Sequence, residues 1–408
     1  MALTLKIALW SCLGAIAYNY AGYPIVLYFL RLLAQAKSDF TFLVSRRNRR
    51  RLGRPAFQPS VAIIVSAFNE EAVIEARVRN LLEVSYPSNL FEILIGLDSP
   101  TDATAQILGQ FRSPRVHVFH FSTRRGKLAV ISDLARQTSA QILVFTDANT
   151  MFEPDCVTNL VRHFSDSTVG AVSGEEIRVV KAGTDPAAER LYWRYESAMK
   201  ILESRLGCLH SANGSVYAIR RDLFLPRPNL VVEDFQIPLD VRFRGFQVLY
   251  DPDAIAIEEI APTFTSQFER RVRLGAGNFQ TLFANPNYLN PFNGLPAFAY
   301  WSHRVLRWLT PLLLILALVC TLGLVSQLLY RFLLVGQCAF YLMALVGFLR
   351  KTRQRPVGIS RGPFYFCSMN LALLLGLFRY LTGRQSVAWA ATPRQAAVKV
   401  APSNSVER

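Results

Sequence analysis

Long apolar runs near both ends of the sequence, with a polar stretch between them, are the feature that most restricts how this chain can fold. The first run covers residues 5 to about 33, and a cluster of arginines follows it at residues 46–54. The run is long for the core of a signal peptide, and no small-residue cleavage site comes after it. We therefore predict a retained transmembrane helix over residues 1–33 and a basic cytoplasmic linker over residues 34–58.

Three more apolar runs lie late in the sequence, at residues 306–330, 332–349 and 363–381. The first is long enough to cross a bilayer, and the other two are near the lower limit of length, so we predict two to three C-terminal spans. The expected organisation is an interfacial segment, the spans and a polar tail, at residues 286–305, 306–381 and 382–408. If every run crosses, Arg384, Arg394 and Lys399 lie outside, against the rule that basic residues stay in the cytoplasm. The sequence leaves that conflict open.

The net charge of +16 at first suggests a nucleic-acid partner. However, much of the basic charge sits in short clusters beside the apolar runs, where it is better explained by contact with anionic lipid. We therefore expect membrane lipid, and no nucleic acid, as a partner. The six cysteines show no paired spacing, which argues against both a disulfide framework and a zinc site.

Between the apolar ends, residues 59–285 alternate short apolar segments with polar segments of helical pattern. The apolar segments have the length and composition of buried parallel strands, and they lie at residues 61–65, 92–97, 116–121 and 142–145. The helices between them are expected at residues 70–84, 101–111 and 126–138. Such alternation predicts a doubly wound α/β sheet, which binds its ligands at the carboxyl ends of the strands.

Polar side chains occur where three of these strands end. Asn69 and Glu70 follow the first strand, and Asp98 ends the second. Asp147 and Asn149 come at the end of the fourth, where their oxygens suit a hard divalent cation, although the same pair is common in turns. Asn-Glu at a strand end is equally well explained as a helix cap. The glycine fingerprint of a dinucleotide-binding fold is missing here, which argues against a dehydrogenase.

The order of the motifs is more specific than any one of them. S-A-F-N-E-E, D-S-P-T-D, R-G-K and D-A-N begin at residues 66, 98, 125 and 147, and N-G-S, V-E-D and R-R-V-R-L begin at residues 213, 232 and 270. This series resembles the membrane-integrated branch of glycosyltransferase family 2, which includes synthases of hyaluronan, cellulose and poly-N-acetylglucosamine and the ceramide glucosyltransferases. The resemblance covers about residues 60–285. It implies a GT-A type domain, a doubly wound mixed sheet that binds a nucleotide sugar, flanked by transmembrane helices.

The resemblance also implies roles for the residues at the strand ends. The side chains implied to surround the uracil and ribose of a UDP-sugar are Ser66, Asn69, Glu70 and Asp98. Lys127 would contact the nucleotide or its phosphates, although an exposed lysine at a helix start is the alternative. Asp147 would bind the Mg²⁺ or Mn²⁺ that neutralises the leaving diphosphate. Asn149 stands where many relatives have a second aspartate, and its uncharged amide predicts weaker metal binding.

Asp234 is the candidate general base for inverting transfer, which needs one carboxylate to take the proton of the acceptor hydroxyl. The alternative is an acidic residue at a helix N-terminus, favoured by the helix dipole. Arg270 and Arg273 lie three residues apart on an expected helix and so share a face. The resemblance places such arginines near the diphosphate, and an interfacial basic helix is the other interpretation. Leu274 stands where the family has a tryptophan beside the acceptor sugar, which puts acceptor handling in doubt.

The leading hypothesis is a metal-dependent inverting transferase that moves a sugar from a UDP-sugar to a growing polysaccharide. It would be an integral protein of a bacterial-type inner or plasma membrane with its catalytic domain in the cytoplasm, and accessory subunits stay open. One alternative transfers a single sugar to a lipid acceptor. A membrane transporter or scaffold without catalysis is a third hypothesis, against which the retained Asp98, Asp147 and Asp234 argue.

Overall fold

The computed structural model describes residues 2–45, 57–179, 187–227, 230–259, 264–353 and 357–385. Within these residues one mixed sheet of eight strands forms the centre, in the order β3-β2-β1-β4-β7-β6-β8-β5. The strands are β1 (Val61–Ala67), β2 (Phe91–Asp98), β3 (Val116–Phe121), β4 (Ile142–Asp147), β5 (Thr150–Phe152), β6 (Val169–Val179), β7 (Tyr217–Arg220) and β8 (Gln247–Glu259). The strands β3, β2, β1 and β4 are parallel neighbours, whereas β7 pairs antiparallel with both β4 and β6.

The helices of residues 59–285, here called the catalytic part, cover both faces of this sheet. They are α3 (Ile74–Leu82), α4 (Thr104–Leu108), α5 (Lys127–Arg136), α6 (Cys156–Val161), α7 (Ala187–Arg205), α8 (Glu233–Phe243) and α9 (Phe264–Ala284). The N-terminal helices are α1 (Ala2–Ala17) and α2 (Tyr23–Ser45), and the late ones are α10 (Leu295–Ala299), α11 (Leu306–Gly323), α12 (Leu328–Thr352) and α13 (Arg361–Leu381). Two buried clusters, one on each face of the sheet, form the core of the catalytic part.

The four strands predicted from apolar runs are confirmed, and three of them extend further at their carboxyl ends than predicted. All seven residues of β1 are buried, because helices cover both faces of a parallel sheet. The helices between the strands are shorter than predicted. The first begins at Ile74 and not at residue 70, because the backbone N–H of Glu70 donates to Thr104 Oγ1 at 2.8 Å and the chain turns there before the helix begins.

The N-terminal run forms one long helical segment that does not end at residue 33. The segments α1 and α2 are joined by a π-helical turn at Tyr18–Gly22, and α2 continues to Ser45 through the first part of the expected linker. Residues 2–41 form a helix that is long and apolar enough to cross a membrane. The arginine cluster at residues 46–54 lies outside the described residues.

The described C-terminal residues include three further helices that are long and apolar enough to cross a membrane, at Leu295–Gly323, Leu328–Thr352 and Gly358–Leu381. The apolar run at residues 306–330 is not one helix, because α11 ends at Gly323 and a turn precedes α12. Part of the expected interfacial segment belongs to the first of these helices, since a π-helical turn at Tyr300–Val305 joins α10 to α11. Most of the tail, from residue 386 onward, lies outside the described residues.

A buried group of charged side chains, here called the junction cluster, joins the catalytic part to the apolar helix Leu295–Gly323. Its members are Glu196 and Glu203 on α7 and His303, Arg304 and Arg307 on the helix Leu295–Gly323. Glu203 accepts a hydrogen bond from His303 at 2.6 Å, and Glu196 is paired with Arg307. Burial raises the pKa of Glu203, but the neighbouring His303 outweighs burial and holds that pKa at about 2.

The helices α9 and α13 approach closely where glycines meet. A Cβ atom added to Gly376 would lie 2.7 Å from the backbone N of Ala276 and 2.8 Å from the carbonyl carbon of Gly275. Backbone atoms cannot move aside as the end of a flexible side chain can. The contact between the two helices therefore requires glycine at this position.

We expect Gly376→Ala to destabilise the protein by about 1–3 kcal/mol, because overpacking a tight contact forces the backbone apart. Gly336→Ala in α12 is the matched control, since an added Cβ there meets no atom within 4 Å. Thermal unfolding of the two variants in detergent measures the difference. Equal melting temperatures would show that α9 and α13 do not pack in this way.

Candidate active site

The carboxyl ends of β1, β2 and β4 bring the predicted strand-end residues to one edge of the sheet. Ser66 in β1 lies directly opposite Asp147 in β4, and Asp98 ends the strand on the other side of β1. Ser66 is 8% exposed, and its hydroxyl has no hydrogen-bond partner among the described residues. The edge therefore combines buried polar groups with the open ends of parallel strands, where α/β sheets bind ligands.

Asn69 ties two loops of this edge together. Its Oδ1 accepts from the backbone N–H of Thr101 at 2.8 Å, and its Nδ2 donates to Thr101 Oγ1 at 3.0 Å. The φ angle of Asn69 is 55°, in the left-handed region that asparagine tolerates better than most residues. Glu70 is buried beside it. Asn69 and Glu70 thus lie at the expected edge, where Asn69 shapes the loop between β1 and α3.

Asp98 holds the loop that begins α5. Its carboxylate accepts from the backbone N–H groups of Arg125 at 2.7 Å and Gly126 at 2.9 Å, and the residue is 1% exposed. Gly126 has a φ of 87°, which an L side chain rarely adopts. Asp98 therefore fixes the turn that delivers Lys127, a contact that the sequence did not predict.

Lys127 lies between two carboxylates in the middle of the site. Its Nζ is 2.8 Å from Asp147 Oδ1 and 2.8 Å from Glu233 Oε1. Burial lowers the pKa of Lys127, but Asp147 and Glu233 outweigh burial and raise the pKa well above its usual value. The two carboxylates thus form a strongly negative position that already attracts a cationic group.

Asp234 lies beside this group at the start of α8. It is half-buried, and burial together with the negative charges of Glu233 and Asp147 raises its pKa to about 6. The close approach of Gly214 shapes its surroundings, because a Cβ added there would lie 2.6 Å from Asp234 Oδ2. A carboxylate with this pKa is ionised near neutral pH and is a stronger base than an ordinary aspartate.

A second set of carboxylates lies next to the first. Asn149 Nδ2 donates to Glu258 Oε1 at 3.2 Å, and Arg270 Nη1 is 3.5 Å from the same oxygen. Burial and the neighbouring Glu176 raise the pKa of Glu258 to about 7, although Arg270 opposes them. Asn149 and Arg270 are therefore held at the site through Glu258, for which the sequence analysis assigned no role.

Arg273 and Leu274 follow on α9 but have different surroundings. Burial and the positive charge of Arg270 lower the pKa of Arg273, while the negative charges of Glu233 and Asp234 partly compensate. Arg273 is therefore close enough to interact electrostatically with these carboxylates. Leu274 packs against an apolar cluster that includes Phe279 and Trp308. The position where the family has a tryptophan is thus part of the contact between α9 and its neighbours.

The donor atoms at this edge fit a hard cation. The groups available are carboxylates and an amide, all of which offer oxygen, the ligand that Mg²⁺ and Mn²⁺ prefer. The negative position between Asp147 and Glu233 already attracts the ammonium group of Lys127. The carboxylates Glu233, Glu258 and Glu176 were not predicted as site residues. The acidic pair at residues 233–234 was a signal in the sequence for Glu233. Glu258 and Glu176 become neighbours only because β6 pairs with β8.

Residues 62–224 match the family model described as glycosyl transferase family 2. Among curated proteins, the poly-beta-1,6-N-acetyl-D-glucosamine synthase of Staphylococcus aureus strain COL is 22% identical over 229 residues, covering 54% of this chain and 55% of the relative. The enzyme of the same name from Staphylococcus epidermidis is 22% identical over 231 residues, with the same coverage. The chain thus spans about half the length of the curated relatives it matches.

Among solved structures, a mannosyltransferase of Pyrobaculum calidifontis, in complex with GDP-Man and Mn²⁺, is similar over 92% of this chain and 99% of that chain. The TM-score is 0.69 at 19% sequence identity, a likeness that concerns the fold. The mixed sheet and the edge that carries the site agree with the expected GT-A type architecture. Residues 62–224 therefore belong to a family 2 glycosyltransferase domain of GT-A type, and the described part of the same chain contains four helices long and apolar enough to cross a membrane.

Proposed function

We propose that this chain transfers a sugar with inversion from a UDP-sugar to a growing polysaccharide. The single observation that carries the proposal is the convergence of a basic carboxylate, Asp234, with a negative cation-attracting position formed by Asp147 and Glu233. Inverting transfer needs both features, one for the acceptor proton and one for the leaving diphosphate. The names of the curated relatives support an N-acetylglucosamine donor and a polysaccharide product.

In the proposed reaction, the acceptor hydroxyl oxygen attacks the anomeric carbon from the side opposite the nucleotide. Asp234 takes the proton of that hydroxyl, the bond from the anomeric carbon to the diphosphate oxygen breaks, and the nucleoside diphosphate leaves with the bonding electrons. Lys127, Arg270 and Arg273 are positioned to offset its negative charge. Asp147 and Asn149 would hold Mg²⁺ or Mn²⁺, which supplies further charge stabilisation when bound. Ser66, at the same edge, would line the nucleoside pocket that Asn69, Glu70 and Asp98 shape.

A lipid acceptor that receives one sugar is the second candidate, and the packing of Leu274 favours it. Because this side chain belongs to an apolar cluster, the position has no aromatic face on which a sugar ring of a growing chain can stack. We further propose that the catalytic domain lies on the cytoplasmic side, as the basic residues after the first helix indicate. Product analysis separates the two acceptors, since a ladder of lengths identifies a synthase and one added sugar identifies a glycolipid enzyme.

Nucleotide release from a donor panel tests the proposal. The purified protein is mixed with an extract of its native membrane, which supplies the acceptor. It is then given UDP-N-acetylglucosamine, other UDP-sugars or GDP-mannose, each with Mg²⁺, Mn²⁺ or chelator. We expect metal-dependent release from one UDP-sugar. Release from GDP-mannose alone would contradict the UDP assignment and leave transferase activity intact, whereas folded protein inactive with every donor would contradict the function.

We expect the transfer rate to fall about tenfold per pH unit below about pH 6, because a base with a pKa near 6 must be ionised to accept a proton. The pH dependence of kcat/KM, measured with the donor identified above, checks this. Glu258→Gln is the informative comparison, because Glu258 has a pKa of about 7 and lies nearby. The acidic limb should persist in that variant, and its disappearance would assign the limb to Glu258.

A further inference from the structure

The orientation of α13 follows from its long contact with α9. Phe264 and Phe364 have ring centroids 5.3 Å apart, and Phe283 and Tyr380 have centroids 5.5 Å apart. The glycine contact at Gly376 lies between these two pairs. Because residue numbers rise together on both helices, α9 and α13 run side by side in the same direction. The contact from residue 364 to residue 380 corresponds to about 24 Å of helix.

The helix α9 cannot lie within the hydrocarbon of a bilayer. Four of the five residues at positions 269–273 are charged, and only Val272 is apolar there, so any apolar pattern is interrupted. Arg270 is held to Glu258 of the sheet, and Gln280 accepts from the backbone N–H of Val231. The cost of burying several such groups in lipid is high, and the partners of Arg270 and Gln280 belong to the catalytic domain. Thus α9 lies with the catalytic domain, outside the hydrocarbon.

A helix that lies along α9 for most of its length shares this position. If α13 crossed the membrane, α9 would be carried into the bilayer beside it. An ion pair also joins the two helices, with Arg379 Nη2 2.8 Å from Glu269 Oε2. The large apolar side chains of α13 that remain exposed are Leu371, Leu375, Phe378 and Leu381, which are 50%, 38%, 55% and 67% exposed. The spacing of Leu371, Leu375 and Phe378 puts them on one helix face, and Gly376, which meets α9, lies on a different face.

The distribution of basic residues agrees with this geometry. Arg350, Lys351 and Arg353 end α12, Arg361 begins α13, and further basic residues follow α13 in the tail. Both ends of α13 are therefore basic. The turn at residues 324–327 between α11 and α12 has no basic residue, and Arg331 alone is close to it. Basic residues mark the cytoplasmic side, so both ends of α13 belong on the same side of the membrane.

We propose that α13 does not cross the bilayer but lies on its surface, on the side of the catalytic domain. The face with Leu371, Leu375 and Phe378 contacts the lipid, and the face with Gly376 holds α9. The partner of this surface is the lipid leaflet that faces the catalytic domain, with its anionic headgroups near the basic ends of the helix. The tail after Leu381 then stays on that same side. This removes the conflict between the positive charge of the tail and a position on the non-cytoplasmic side of the membrane. The proposal is independent of the reaction that the site performs.

Labelling of single cysteines in the full chain tests the side of the tail. The parent has Cys338 and Cys367 replaced by alanine, since the four other cysteines are buried. Ser326→Cys, Thr352→Cys and Ser403→Cys are then exposed to a membrane-impermeant maleimide in intact bacterial cells or in inverted vesicles. We expect Ser326→Cys to react in intact cells, and the other two to react only in inverted vesicles. Reaction of Ser403→Cys in intact cells would overturn the proposal, as would reaction of Ser326→Cys only in inverted vesicles.

Depth in the bilayer supplies an independent readout. Leu371→Cys and Phe378→Cys carry a fluorescent label in vesicles whose lipids are brominated at defined acyl positions. A surface helix places both labels at nearly the same shallow depth. A crossing helix places them at depths that differ by about 10 Å, because seven residues separate them. Depths that differ by that amount would overturn the proposal even if the labelling of the tail were ambiguous.

Discussion

Asp234→Asn is expected to lower kcat about 10²- to 10⁴-fold, because an amide cannot accept the proton of the acceptor hydroxyl in the transition state. The size and shape of the side chain are nearly unchanged, so the fit beside Gly214 is kept. Donor binding should change little, since this carboxylate is proposed to act on the acceptor. Initial rates of nucleotide release and the dissociation constant of the donor, measured on the same preparation, check both expectations.

Asp222→Asn is the matched control, because the Asp222 side chain is 90% exposed and far less constrained. It makes the same chemical change on the same domain and should leave the rate unaltered. A variant at position 234 that retains more than about a tenth of the parent rate would remove Asp234 from the role of base. Lost donor binding in that variant would point instead to a donor-binding role.

Asp147→Asn is expected to lower the rate at least about 100-fold, since loss of a charged ligand removes part of the several kcal/mol that a metal ion contributes. The variant also leaves Lys127 with one carboxylate in place of two. We expect a shifted metal requirement, with saturation at a much higher Mn²⁺ concentration than in the parent. Titration of activity with Mn²⁺, after chelator treatment, measures that shift.

Asp253→Asn serves as the control for this change, because the Asp253 side chain is 68% exposed. Partial recovery of Asp147→Asn at high Mn²⁺, with the control unchanged, supports a ligand role for Asp147. Parent activity that persists unchanged in the presence of chelator would show that the reaction needs no metal at this residue.

The parallel half of the sheet was predictable from the sequence, because each buried strand is a short apolar run followed by a helix. Residues that end such strands must meet at one edge, so the positions of Asp98 and Asp147 followed from local pattern. The other half, in which β7 pairs antiparallel with β4 and β6 while β6 and β8 pair in parallel, was not predictable in this way. The strands β7, β6 and β8 join across long sequence separations, and their register follows from packing and not from local periodicity.

Pairing over long sequence separations also explains why the sequence analysis missed some residues of the site. Glu258 reaches Asn149 only because β5 pairs with β8, over a separation of 109 residues. The resemblance supplied the residues at the strand ends and on α9, whereas the contacts that orient them depend on distant parts of the chain. The role of Asp98 illustrates this, because its bonds to the backbone of the loop before α5 cannot be read from a D-S-P-T-D motif. The assigned roles themselves stay predictions until the variants are measured.

The junction cluster has a practical consequence for any attempt to obtain the catalytic domain alone. A fragment limited to residues 57–285 would keep Glu196 and Glu203 but lose His303 and Arg307, their partners. Removing one side of a buried ion pair typically costs about 3–5 kcal/mol, a large part of the stability of a domain. The helix Leu295–Gly323, which is long and apolar enough to cross a membrane, therefore completes the interior of the enzyme. Solubility gained by cutting them away would come with a weakened fold, so detergent or nanodisc preparations of the whole chain are the sounder material for kinetics.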